Sequence, residues 1–201
     1  GNKNYFTSDE GYVVKLDAEK DQLYIIAESS TVTVTLGENM TTSDSLKQTV
    51  LKNNAIADVT ITAADGYYFP EGYAASLAKD GITVTRDSLT QITVSGTPTA
   101  DEVALTLPAA TAKTTPAAPS GLTGVAPSTW DAADGKISGT KATMEWAKTA
   151  DSDTWTPCTE GTTTVGGQGT YYVRVKATDI SYTSEAAEVT VPKYLKTINF
   201  P

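Results

Sequence analysis

Threonine and branched apolar residues alternate one for one along much of this chain, most plainly in Thr31-Val32-Thr33-Val34-Thr35-Leu36. Successive side chains of a strand point to opposite faces, so this period of two puts valine and leucine inward and threonine outward. Both residue types suit a pleated surface. The pattern recurs in Val59-Thr60-Ile61-Thr62, Ile82-Thr83-Val84-Thr85, Ile92-Thr93-Val94 and Val103-Ala104-Leu105-Thr106-Leu107. These read as half-buried antiparallel strands. Arg86-Asp87-Ser88-Leu89 supplies turn formers, making Ile82 to Ser95 a hairpin that Gly96-Thr97-Pro98 closes. Ser43 to Leu51 and Tyr73 to Lys79 are expected to carry helical turns.

Short strands resume downstream, at Leu122–Val125, Lys136–Gly139, Ala142–Ala147, Thr154–Cys158, Thr162–Val165, Thr170–Thr178 and Glu188–Val191. Seven of them suit an immunoglobulin-like sandwich. In the clearest, Tyr171, Val173 and Val175 share one face while Tyr172, Arg174 and Lys176 share the other. Residues 109–118 hold a proline and no large apolar side chain, which reads as a linker. The strands before and after it also end alike, each closed by a proline, at Pro108 and Pro192. The expected architecture is therefore all-β, two small antiparallel β-sandwich domains in tandem. Residues 29–108 form the first and 119–193 the second, with a hairpin-like segment at 1–28 and a tail at 194–201.

Composition narrows function. The chain has no histidine, which removes the usual base near neutral pH, the Ser-His-Asp and Cys-His arrangements and most catalytic zinc sites. Its formal charge of −9 comes without a basic run, against nucleic acid and anionic lipid as partners. No apolar run approaches the roughly 20 residues that cross a bilayer as a helix. Cys158 has no second cysteine to pair with and reads as a small buried hydrophobe. Gly1 reads as a remnant of tag removal, so a missing leader peptide excludes nothing.

Gly169-Thr170-Tyr171-Tyr172-Val173 resembles the strand F corner of immunoglobulin-like and fibronectin type III modules, with Val173 where many antibody domains carry cysteine. Together with Pro119-Ser-Gly-Leu-Thr-Gly-Val125, Met144-Glu-Trp146 and Trp155-Thr-Pro-Cys158, it looks like repeats of large surface proteins from gut-dwelling Gram-positive bacteria. The first half is similar to another such repeat through Gly66-Tyr67-Tyr68-Phe69-Pro70, Gly81 to Arg86 and Gln91 to Pro98. The resemblance implies a secreted or cell-surface location and neighbouring domains in a longer parent protein. It brings no catalytic residue, and no wall-sorting motif accompanies it. It also implies that Tyr171 is a tyrosine corner, its hydroxyl bonded to backbone a few residues upstream.

Several residues invite a site. A flat indole stacks on sugar rings, so the aromatics are candidate glycan contacts. Trp146 and Trp155 lie on candidate strands and read as core or hairpin packing, leaving Trp130 and Tyr68 as the exposed pair. Asp17, Glu19 and Asp21 open like a calcium-binding EF-hand loop, and Glu28 falls twelfth. Gln22 stands where that loop needs glycine, which favours a solvated hairpin turn. Asp151-Ser152-Asp153, Asp131 and Asp134 read as turns rather than metal ligands. Lys52, Asn53 and Asn54 give no favoured trio for an intramolecular isopeptide bond.

The expectation is a non-enzymatic structural or spacer segment, with no cofactor and no metal. The alternative is an adhesin or carbohydrate-binding module that uses exposed aromatics on a glycan or host surface protein. A third reading, a carboxylate-dependent glycosidase, needs only two acids at a set separation, and no motif marks such a pair.

Overall fold

A computed structural model describes residues 12–196, and among them strands alternate with turns and no residue is helical. The chain divides into two compact units between Ala112 and Lys113. The first carries β1 (Tyr12–Asp17), β2 (Gln22–Ala27), β3 (Ser29–Thr35), β4 (Met40–Thr41), β5 (Lys47–Leu51) and β6 (Val59–Ala63). It continues with β7 (Tyr67–Tyr68), β8 (Ile82–Arg86), β9 (Gln91–Gly96), β10 (Glu102–Thr106) and β11 (Thr111–Ala112).

Two sheets of this unit, ordered β10-β3-β5 and β4-β6-β9-β8, share one apolar core. The first contributes Val32, Val34, Val103 and Leu105; the second contributes Ile61, Ile82, Ile92 and Val94. These are the inward members of the threonine alternation, so local sequence set the face of each strand. Phe69 completes the core beside Tyr73, ring centroids 4.8 Å apart. The Tyr73 hydroxyl donates to the Pro108 carbonyl, and burial pushes its pKa up to about 12.

The expectation of wholly antiparallel sheets needs one correction. β10 runs parallel to β3, with Glu102 beside Thr31 and Thr106 beside Thr35. A parallel neighbour requires a long crossover, and here the intervening strands of the unit provide it. Ser43 to Leu51 is not a helical turn either, because β5 pairs antiparallel with β3 from Lys47 to Leu51. The ladder and the partly buried Val50 outweigh local helical preference. Tyr73 to Lys79 holds turns and an isolated bridge rather than a helix.

The expected hairpin near the N-terminus is present as β1 and β2, a sheet of its own; residues 1–11 lie outside the described residues, as do 197–201 of the expected tail. The segment 109–118, expected to be an unpacked linker, is paired on both sides of the dividing point. Thr111 and Ala112 ladder with β7, Ala110 is buried, and Thr114 bridges Ser181.

The second unit comprises β12 (Thr123–Val125), β13 (Gly135–Thr140), β14 (Met144–Ala147), β15 (Thr156–Pro157), β16 (Gly161–Gly166), β17 (Gly169–Val175) and β18 (Ala187–Val191). They form a three-stranded sheet, β12-β13-β16, and a four-stranded sheet, β15-β14-β17-β18. Ile137 and Val165 from the first meet Met144, Tyr171, Val173, Val189 and Val191 from the second, with Cys158 beside them. Burial raises the Cys158 thiol pKa above its ordinary value.

Candidate functional site

The carboxylates singled out in the sequence mostly serve local turns. Asp17 Oδ1 accepts from the backbone N–H groups of Glu19 at 3.1 Å and Lys20 at 3.3 Å, which caps the β1–β2 turn. Asp21 follows inside the same turn with a φ of 48°. Asp134 accepts from the Ser128 N–H at 2.8 Å, and hydrogen bonding from Ser128 holds its carboxyl below the usual range. Asp131 accepts from the Thr129 hydroxyl at 2.9 Å. In the Asp151–Asp153 turn the side chain that closes the loop is Ser152, whose hydroxyl donates to the Thr154 carbonyl at 2.7 Å. Among the described residues no group of three or more His, Cys, Asp or Glu side chains is placed to hold a metal ion.

Lys52 is engaged with Glu28, Nζ to Oε2 3.0 Å, and this contact raises its pKa. Asn53 occupies a turn with a φ of 68°. An isopeptide bond needs the lysine buried against an asparagine and an acid; Lys52 lies instead at the surface in an ion pair.

The aromatic candidates fall into different environments. Trp130 sits in the turn between β12 and β13 with 81% of its surface exposed. Tyr68 is only half-buried and belongs to β7, whose backbone pairs with Thr111. Tyr67 packs partly on the core, and Phe69 is fully inside. Trp146 packs against the second core and meets Tyr171 edge-on at 5.5 Å.

Trp155 is not in the core. Its indole N–H donates to the Ser152 carbonyl at 2.8 Å, and the Arg174 guanidinium lies 3.9 Å from its ring centroid. Arg174 Nε also reaches Glu145 Oε1 at 2.7 Å, which fixes the guanidinium on the outer face of the four-stranded sheet. Beside it, the Tyr172 hydroxyl donates to Glu188 at 3.3 Å, and the negative charge of Glu188 raises the phenol pKa. A polar cavity of about 300 Å³ is lined there by Tyr172, Arg174, Ser184 and Glu185. Sequence reasoning placed Tyr172 and Arg174 on one face but missed this stack. No local pattern marks it, because it depends on the register that sets Glu145 beside both Arg174 and Pro157.

Tyr171 is fully buried at the start of β17, and its hydroxyl donates to the Gly167 carbonyl at 2.8 Å, four residues upstream. Burial raises its pKa. The bond joins β17 to the turn that precedes it, as a tyrosine corner does.

No protein-family model matches the chain, and comparison with curated proteins gave no match.

Proposed function

We propose that the chain is a structural spacer of a secreted or cell-surface protein, built from two immunoglobulin-like modules and without catalysis of its own. The observation that carries this reading is the parallel pairing of β3 with β10, the strands at either end of the shared core of the first unit. Once the two-residue pairing of β11 with β7 gives way, tension applied to the two ends of the chain pulls the start of β3 against the end of β10. Neighbouring parallel strands drawn apart in this way share the load across the whole ladder, instead of opening it bond by bond. Two further bonds extend the ladder, Thr31 N–H to the Asp101 carbonyl at 2.8 Å and Leu107 N–H to the Thr35 carbonyl at 2.9 Å. Val32, Val34, Val103 and Leu105 bury one side of it away from water. The three-plus-four strand order of the second unit and its Tyr171 corner support the immunoglobulin-like reading of that module.

Single-molecule pulling on the full chain tests the spacer. In the second unit β12 and β18 belong to different sheets and share no ladder. The expected trace has two unfolding events, with the higher force assigned by its released length to the unit that contains β3 and β10. Equal low forces for both events count against a load-bearing role, because forced unfolding reports the barrier directly.

One observation favours a second reading, an adhesin or carbohydrate-binding module whose partner is a glycan or host surface protein. Trp130 is a large apolar ring left open to water on a loop tip, where binding residues concentrate. Calorimetric titration with bacterial and host polysaccharides, repeated with Trp130→Ala and Tyr68→Ala, separates the two. The spacer reading expects no saturable heat. Saturable binding lost in Trp130→Ala would overturn it.

A further inference from the structure

We infer that residues 70–80 form a latch across the open edge of β10, and that release of β10 from β3 waits on this latch. β10 ends its sheet, so only one of its sides is laddered. The Asp101 carbonyl accepts from Thr31 and the Leu107 N–H donates to Thr35, which turns the backbone of the odd-numbered residues toward β3. The even-numbered residues face the other way, where no strand meets their polar backbone groups.

Two side chains of the latch take the place of that missing strand. Lys79 Nζ donates to the Ala104 carbonyl at 2.8 Å, and the Tyr73 hydroxyl donates to the Pro108 carbonyl. Both acceptors are even-numbered, so both lie on the side that β3 leaves open. Among the described residues Lys79 makes no ion pair, so this carbonyl is what anchors its ammonium group.

The latch is itself tied to the opposite sheet. Tyr73 packs on Phe69, whose carbonyl accepts from Arg86 Nε of β8 at 2.7 Å. Backbone bonds from Tyr73 to Pro70, Ala75 to Gly72 and Leu77 to Ala74 wind the segment into turns, and Ala74 and Leu77 pack on the core. At its far end Lys79 exchanges backbone bonds of 2.8 and 2.9 Å with Ile82, the first residue of β8. Asp80 and Gly81 between them have φ of 47° and 83°, the pair of positive angles that a tight Asp-Gly turn adopts. Lys79 therefore starts from a fixed point on one sheet and ends on the edge of the other. Shear of β10 against β3 must break these bonds as well as the ladder. That mechanical consequence rests on the load-bearing reading above; the latch does not.

Backbone hydrogen exchange of the full chain tests it, comparing the wild type with Lys79→Met, Lys79→Arg and Tyr73→Phe. The expected result is exchange roughly threefold or more faster at the Leu107 amide and along β10 in Lys79→Met and in Tyr73→Phe, the scale of one lost hydrogen bond. Amides of β6 and β9 should keep their wild-type rates, and Lys79→Arg, which retains a donor, should stay near the wild type. Because Lys79 is exposed, unchanged melting of Lys79→Met serves as the folding control. Equal acceleration in every strand of the unit overturns the inference, because the bonds would then serve the whole fold. Wild-type rates along β10 in Lys79→Met overturn it as well. Acceleration confined to β10, in a chain whose wild type unfolds at low force, would support the latch and count against the load-bearing role.

Discussion

Gly124→Val is expected to unfold the second unit or to cost it about 3 kcal/mol or more, the upper end for overpacking a closed core. The reason is close approach rather than backbone freedom. A Cβ at position 124 would overlap the carbonyl oxygen of Thr190 and press on the Cα of Val191. Those atoms belong to the backbone of β18, which is laddered to β17 and cannot swing aside as a side chain does. Gly124→Ala meets the same oxygen and should show the same direction with a smaller loss. Denaturant titration of the full chain reads this out, because all three tryptophans, Trp130, Trp146 and Trp155, lie in the second unit. A tryptophan transition unmoved by Gly124→Val would mean that β12 can shift away from β18 at little cost.

The second large effect is expected at Tyr171, where two substitutions separate packing from hydrogen bonding. Tyr171→Ala removes a fully buried ring and should cost about 3–5 kcal/mol, as deletion of large core aromatics does. Tyr171→Phe keeps the ring and its edge-on contact with Trp146 and removes only the bond to Gly167. It should cost about 0.5–1.5 kcal/mol, toward the lower end because Gly167 is half-exposed and water can replace the hydroxyl. The same tryptophan transition measures both. Equal losses in the two variants would assign the stabilisation to the hydrogen bond and reverse this division. No loss in Tyr171→Phe would leave the corner without energetic consequence.

The candidate surfaces show how far residue type alone reaches. Trp130 was legible as exposed because its neighbours, Ser128, Thr129 and Asp131, form turns and supply no apolar partner. Tyr68 was read as exposed, and it is half-buried on β7, whose backbone pairs with β11. That pairing involves residues more than 40 positions apart, in a segment whose composition reads as linker. Trp155 was assigned to packing, and the partner that packs it is a charged side chain, Arg174. The guanidinium itself lies over the indole on the outer face, an arrangement that apolar patterning does not register.

The sequence by itself determined which side of each core strand is buried. Val32 and Val34, Ile82 and Val84, Ile92 and Val94, Val103 and Leu105, and Tyr171 and Val173 all face inward as the alternation requires. That information is local, since a pleat two residues long is enough to assign a face. Which strand lies beside which was decided only by the tertiary structure. The parallel neighbours β3 and β10, the strand at Lys47–Leu51 in place of a helical turn, and the approach of β12 to β18 at Gly124 all join distant segments. Such partners are selected by how the whole core closes, because a ladder between remote segments forms only where it also buries the apolar faces that each strand presents alone.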